Sequence, residues 1–198
     1  NVFEEIFKAY QFQKIEVPVV EATELYERGS GVTTDIVEKE LYAFTTKGKD
    51  RVALRPEFTP GVARAYSEHS LGRRGAPQRL FATGPLFRHD RPQAGRYRQF
   101  SQISAEVLGG TSDPIYDAQI VAAFSRAFAQ LKLKPTLEVN SIGCKDCRPS
   151  YLKKLTAYYE SHRDELCTDC VRRLETNPLR ILDCKNEDCR ALLSDAPN

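Results

Sequence analysis

Apolar and polar residues alternate along this chain in two rhythms. Phe3, Ile6, Phe7 and Tyr10 share one helical face, and Ile15, Val17 and Val19 then alternate as in a strand, with Pro18 at an edge or a bend. The runs LYAFTT (41–46) and RVALRP (51–56), joined by KGKD, predict a hairpin. A helix is predicted from Pro60 to His69. QRLFATGPLFRHD (78–90) and RYRQFSQISAEVLGG (96–110) predict two further strands with an arginine-rich turn between them. Asp113 as cap and Pro114 as first helical residue start a helix whose Val121, Phe124, Phe128 and Leu131 form its apolar face. PTLEVNSIG (135–143) predicts one more strand. Antiparallel strands with helices around them make an α+β fold.

The composition changes near Gly143. All six cysteines lie beyond it, the strand signals fade, and YLKKLTAYYESHRDEL (151–166) reads as an amphipathic helix between two cysteine pairs. The predicted domains are therefore 1–142 and 143–198. Charge is nearly balanced, with 29 basic against 27 acidic residues, so the total gives no sign of nucleic-acid binding. No apolar run is long enough to cross a bilayer, and the acids of NVFEEIFKAY do not suit a signal peptide. A cytoplasmic location follows as the expectation. There, cysteines are read as thiols or metal ligands rather than disulfides. The absence of methionine predicts that the chain is a fragment.

The charge that matters is local. FRHDRPQAGRYRQF (87–100) holds Arg88, Arg91, Arg96 and Arg98 against Asp90. By strand alternation Leu86, Arg88 and Asp90 point one way, as do Arg98, Phe100, Gln102, Ser104 and Glu106 on the next strand. Guanidinium groups match phosphate oxygens, an aromatic ring stacks on a base, and carboxylates accept from amines. A nucleoside triphosphate beside an amino acid suits this set best. A solvated, salt-bridged hairpin is the reading that spacing alone leaves open beside it.

FRHDRPQAGRYRQF resembles the second signature motif of histidyl-tRNA synthetases, which are class II aminoacyl-tRNA synthetases. VFEEIFKAYQFQKIEVPVVE (2–21) resembles their first, dimer-forming motif, and TTDIVEKELYAF (33–44) and LRPEFTPGVARAY (54–66) their amino-acid-binding region. NSIG (140–143) and NPLRILDCKN (177–186) belong to the same likeness. The resemblance implies an antiparallel class II sheet flanked by helices, followed by part of a helical insertion subdomain. It also implies a homodimer that activates L-histidine with ATP and Mg²⁺ and transfers it to tRNA(His). Carried over, Arg88 grips the ATP α-phosphate as the catalytic arginine. Asp90 accepts from the adenine amino group, Phe100 stacks on adenine and Arg96 reaches the γ-phosphate. Glu57, Thr59 and Gln102 hold the histidine ammonium, Glu106 bonds the imidazole, and Phe58 adds bulk beside that site where glycine is usual. Asp90 stands where glutamate is common, and Ser101 and Ser104 where histidine and glycine are. The family's third motif is absent from these residues, so the fragment alone is expected to be inactive. The alternative is a synthetase-like regulatory subunit of histidine biosynthesis, which binds histidine without transferring it. The arginine-rich motif argues against that.

Cys144 and Cys147 form one C-x-x-C, and Cys167 and Cys170 a second, nineteen residues on. That spacing is a recognised zinc pattern, with Cys184 and Cys189 as further thiolate candidates. Reduced cysteines packed as small apolar residues are the other reading, since the resembled family is not known for needing zinc. A zinc-ribbon interaction protein would account for the last quarter alone. GSGVTT (29–34) lacks the lysine of a phosphate loop and reads as a loop near the histidine site. His69 and His162 lack ligand spacing, and His89 is expected to support its strand.

Overall fold

In a computed structural model of the chain, Asn1 caps the first helix, α1 (Val2–Ala9), by accepting from Phe3 N at 3.2 Å. Glu4 and Glu5 in its first turn and Lys8 in its last suit the helix dipole. Residues 1–29, 40–90, 93–140 and 143–197 are described. Two units divide the chain, Asn1–Thr136 and Leu137–Asn198, so the compositional change at Gly143 falls just inside the second.

Where alternation predicts one strand over 15–19, two short ones flank it: β1 (Gln13–Lys14) and β2 (Val20–Ala22). Pro18 has no N–H to give a ladder, so the stretch between is extended but tied at single points. Ile15 N donates to Phe81 O (2.9 Å), Arg55 Nη1 to Val17 O (2.5 Å) and Arg55 N to Val19 O (2.9 Å). Helix α2 (Thr23–Gly29) follows. The predicted hairpin forms from β3 (Ala43–Thr45) and β4 (Arg51–Leu54), with Phe44 opposite Val52, and β2 pairs on the far side of β4. Helix α3 (Thr59–Glu68) has Pro60 in its first turn, where a missing N–H costs nothing.

The long hairpin, β5 (Gln78–Phe87) and β6 (Gln99–Leu108), pairs antiparallel over its full length, with Leu86 opposite Phe100 and Leu80 opposite Glu106. β1 runs parallel to β5 on the other side, which makes β5 central in the order β1-β5-β6. Both faces of β5 are therefore buried. Leu80, Ala82 and Leu86 pack with Val17, Phe58 and Val62, while Phe81 on the opposite face joins Ile6, Phe7 and Phe12. β6 is half-buried along most of its length and is an edge strand among the described residues.

Helix α4 (Ile115–Gln130) begins one residue later than predicted, with Pro114 in the cap position and Asp113 Oδ1 accepting from Ile115 N at 2.9 Å. Its buried face differs from the predicted stripe. Ala123 and Ala127 are fully buried, whereas Val121 and Leu131 are 36% and 41% exposed. Rings explain the shift: the small alanines leave room for Phe3 and Phe7 of α1, which meet Phe124 at 6.1 and 5.1 Å. Residues 133–140 hold no strand, and Leu137 and Val139 are 62% and 84% exposed. A strand needs a partner, and none lies beside them among the described residues. The architecture is α+β, antiparallel sheets flanked by helices.

The second unit is helical: α5 (Cys147–Ser161), α6 (Thr168–Thr176) and α7 (Glu187–Ala191), with 3-10 turns between and after them. Its core is Leu155, Tyr159, Leu166, Leu174, Ile181 and Leu192, together with Cys170, Cys184 and Cys189.

Candidate functional site

Arg88 follows the last residue of β5, and three contacts fix it. Its N–H donates to Arg98 O (2.9 Å), Nε donates to Pro56 O (3.0 Å), and the guanidinium carbon lies 5.2 Å from the centre of the Phe100 ring. Among the described residues no bond occupies its two Nη groups, so they are free to fork onto an anion. Across the turn Arg96 Nη1 donates to Asp90 Oδ2 at 2.9 Å. Gly95, at φ 78°, takes the left-handed conformation that closes the tip. His89 stands behind this arrangement: its N–H donates to Glu40 O (2.7 Å) and its ring meets Tyr42 edge-on at 5.3 Å, the supporting role expected of it. The result is a cleft of about 500 Å³ lined by Glu40, Arg88, Asp90, Gly95, Arg96, Tyr97, Phe100 and Ser101. All four residues expected at ATP are among them, and the volume suits a small-molecule site. Arg91 lies outside the described residues, as do most of GSGVTT and the first part of TTDIVEKELYAF.

Further along β6, Gln102, Ser104 and Glu106 continue the face of Phe100. Glu106 is oriented by two hydroxyls, since Thr59 Oγ1 and Ser104 Oγ both donate to its Oε1, at 2.6 and 2.8 Å. Ser104 was not among the expected contacts; its place two residues before Glu106 on one strand face was the available signal. Glu57 is half-buried next to Pro56, whose carbonyl holds Arg88. Phe58 corrects an expectation. It is 1% exposed, packed with Val62, Leu80 and Leu86, and offers a ligand no surface.

Sequence reasoning also missed Arg55. Only 6% exposed, it donates to Val17 O and Pro85 O, and its guanidinium carbon lies 4.8 Å from the Phe58 ring centre. Its own carbonyl accepts from Phe87 N (3.0 Å), so one residue ties the β4 end to the β5 end beside Arg88. Gly84 makes room: at φ 151°, a Cβ there would sit 3.0 Å from Arg55 Nη2. The signal was an arginine two residues after Ala53, on the buried face of β4.

Compared with known proteins, residues 1–163 match the family model described as histidyl-tRNA synthetase. The chain belongs to the histidyl-tRNA synthetase family. It is 51% identical over 193 residues to the histidine–tRNA ligase of Geobacter metallireducens, covering 97% of this chain and 46% of that protein. The apo histidyl-tRNA synthetase of S. aureus superposes with a TM-score of 0.71 at 31% identity, covering 97% of this chain and 48% of that one. A Bacillus halodurans structure described as an ATP phosphoribosyltransferase regulatory subunit/histidyl-tRNA synthetase shares the fold, with a TM-score of 0.53 at 18% identity, over 98% of this chain and 56% of that one. This chain thus spans about half the length of its curated synthetase relatives, 46% of the Geobacter protein.

The synthetase family match stops short of the thiols that converge. Among the described residues, the metal-competent cysteine group is Cys167, Cys170, Cys184 and Cys189, with all four Sγ atoms within 4.8 Å of one another. Cys144 and Cys147 do not join it, contrary to the pairing expected from C-x-x-C spacing. They are exposed and face each other, Sγ to Sγ, at 3.3 Å. The reason is α5: its 15 residues put roughly 22 Å of helix between Cys147 in its first turn and the turn that leads to Cys167. Hydrogen bonds from the backbone N–H and the side chain of Cys147 hold the Cys144 thiol below its usual range. Burial pushes the Cys170 and Cys189 thiols up. No helix among the described residues is long and apolar enough to cross a membrane.

Proposed function

We propose that this chain is the part of a histidine–tRNA ligase that holds ATP and most of the histidine contacts, in an enzyme that charges tRNA(His). One observation carries the reading. The four side chains expected at ATP line a single cleft, and Gln102 and Glu106 extend the same strand face beyond it.

In this reading Arg88 stays on Pro56 O through Nε and forks its Nη groups onto the α-phosphate. Phe100, already beneath that guanidinium, stacks on adenine, and Asp90 accepts from the adenine amino group. Arg96 leaves Asp90 for the γ-phosphate. Glu57, Thr59 and Gln102 surround the histidine ammonium; donating to Glu106 turns the Thr59 lone pairs toward it. Glu106 accepts from the imidazole. A carboxylate oxygen of histidine then attacks the α-phosphorus, the bond from that phosphorus to the bridging oxygen breaks, and pyrophosphate leaves with the electron pair. Negative charge builds beside Arg88 in that step, where a pre-aimed donor is most effective. A ribose hydroxyl at the tRNA 3′ end next attacks the adenylate carbonyl carbon and gives up its proton, and AMP leaves with the electrons of the broken bond. Mg²⁺ bound with the triphosphate would screen the charge of the leaving pyrophosphate, and Glu40 on the cleft wall would be a carboxylate donor of the kind it takes.

The proposed assembly is a cytoplasmic homodimer resting on the segment from Phe3 to Val20, where Val19 and Val20 stay 38% and 44% exposed in the single chain. The test of function is exchange of labelled pyrophosphate into ATP by the whole enzyme. The reading predicts exchange that depends on histidine and on no other amino acid. Histidine binding without exchange would support a regulatory subunit instead.

A further inference from the structure

We propose that Cys167, Cys170, Cys184 and Cys189 bind one zinc ion that closes the core of the second unit. Three separate pieces of chain deliver the sulfurs: Cys167 stands at the cap position of α6 and Cys170 in its first turn, Cys184 follows the 3-10 turn Pro178–Ile181, and Cys189 lies in α7. The spacing is C-x₂-C, thirteen residues, then C-x₄-C, within the range of short ligand pairs.

The distances select the occupant. Four thiolates at ~2.3 Å around a tetrahedral zinc lie about 3.8 Å from one another. Here the four Sγ atoms fall within 4.8 Å, and Cys167 and Cys184 are 3.9 Å apart. A disulfide would bring two sulfurs to about 2.05 Å, and all six cysteines are free thiols. An iron–sulfur cluster would spread its ligands around several metal atoms and hold them further apart. The gap fits one ion.

The surroundings agree. Cys170, Cys184 and Cys189 are buried, so the site has no open position for a substrate, as in structural rather than catalytic zinc. Cys167 N donates to Cys189 Sγ at 3.2 Å, which ties the start of α6 to α7. Packing as small apolar groups gives four sulfurs no reason to converge on one point. The unit they close is small, and α6 and α7 have only nine and five residues, too short to persist without tertiary support. Binding exchanges four S–H protons for four Zn–S bonds, and no electrons move.

The experiment uses the whole chain, purified under reduction and without chelator. Roughly one zinc per chain is expected by elemental analysis. The double variant Cys144→Ser, Cys147→Ser should keep it, and Cys184→Ser should lose it. If Cys184→Ser fails to fold, alkylation of the wild type mapped by mass spectrometry decides the matter. Cys144 and Cys147 should label at once, and the other four only after a zinc chelator is added. Zinc below about a tenth of an equivalent, iron in its place, loss of zinc from the double variant, or labelling that ignores the chelator would each overturn the site.

Discussion

Arg96 and Asp90 hold each other at 2.9 Å in the free cleft, although each has a proposed task on a different part of ATP. Their side chains are 52% and 29% exposed, and such a pair is worth about 0–1 kcal/mol, so a triphosphate can part them cheaply. It follows that Asp90 matters as an acceptor rather than as a charge. Asp90→Asn should leave the KM for ATP within a few-fold of wild type, whereas Asp90→Ala should raise it about two- to tenfold, the effect of one neutral hydrogen bond. Equal losses in steady-state kinetics of the two variants would refute the acceptor role. For Glu106, held by Thr59 and Ser104, the proposed partner is the imidazole. Glu106→Gln should raise the KM for histidine roughly tenfold to a hundredfold and leave that for ATP unchanged. Residue identities in the hairpin were legible because arginines on a strand face have few uses in a core. Orientation was less so: Phe58 lies between Glu57 and Thr59 in sequence, yet its ring turns inward onto Val62 and Leu86.

Elements were legible where one rhythm ran uninterrupted. The ten-residue strands β5 and β6 and helix α3 followed from alternation and from Pro60. Where another constraint intervened, pattern alone misled. Pro18 broke the ladder over 15–19, and the rings of α1 moved the buried face of α4 onto its alanines. The 135–140 segment alternates like a strand, but periodicity carries no information about whether a partner is beside it. The join between β4 and β5 rests on Arg55 against Gly84, which suggests a direct check. Gly84→Ala puts a Cβ 3.0 Å from Arg55 Nη2 at a φ of 151°. The loss of unfolding free energy in urea should exceed that of Gly95→Ala, whose Cβ meets nothing within 4 Å and which carries only the ~1–3 kcal/mol of its own φ of 78°. An unchanged midpoint for Gly84→Ala would mean that the guanidinium simply moves aside.

At the scale of the whole molecule, two units with separate cores should respond separately. Chelation is expected to loosen Leu137–Asn198 first, seen as early loss of amide protection there, while the sheet of the first unit keeps its protection. The cysteine-rich change near Gly143 lies inside the second unit, Leu137–Asn198, rather than at its start. The set of converging thiols was not legible, because spacing lists candidate pairs and only folding chooses among them. This chain covers 46% of its Geobacter relative, and adenylate formation needs both reactants placed at once. These 198 residues alone should therefore give no histidine-dependent pyrophosphate exchange above background. The central claim is that the β5–β6 cleft binds ATP and that Arg88 stabilises charge at the α-phosphate. It is tested most directly by Arg88→Ala in the whole enzyme, measured by histidine-dependent pyrophosphate exchange. A fall of roughly two to three orders of magnitude is predicted, the effect of losing one aimed donor. A rate within a few-fold of wild type would contradict it.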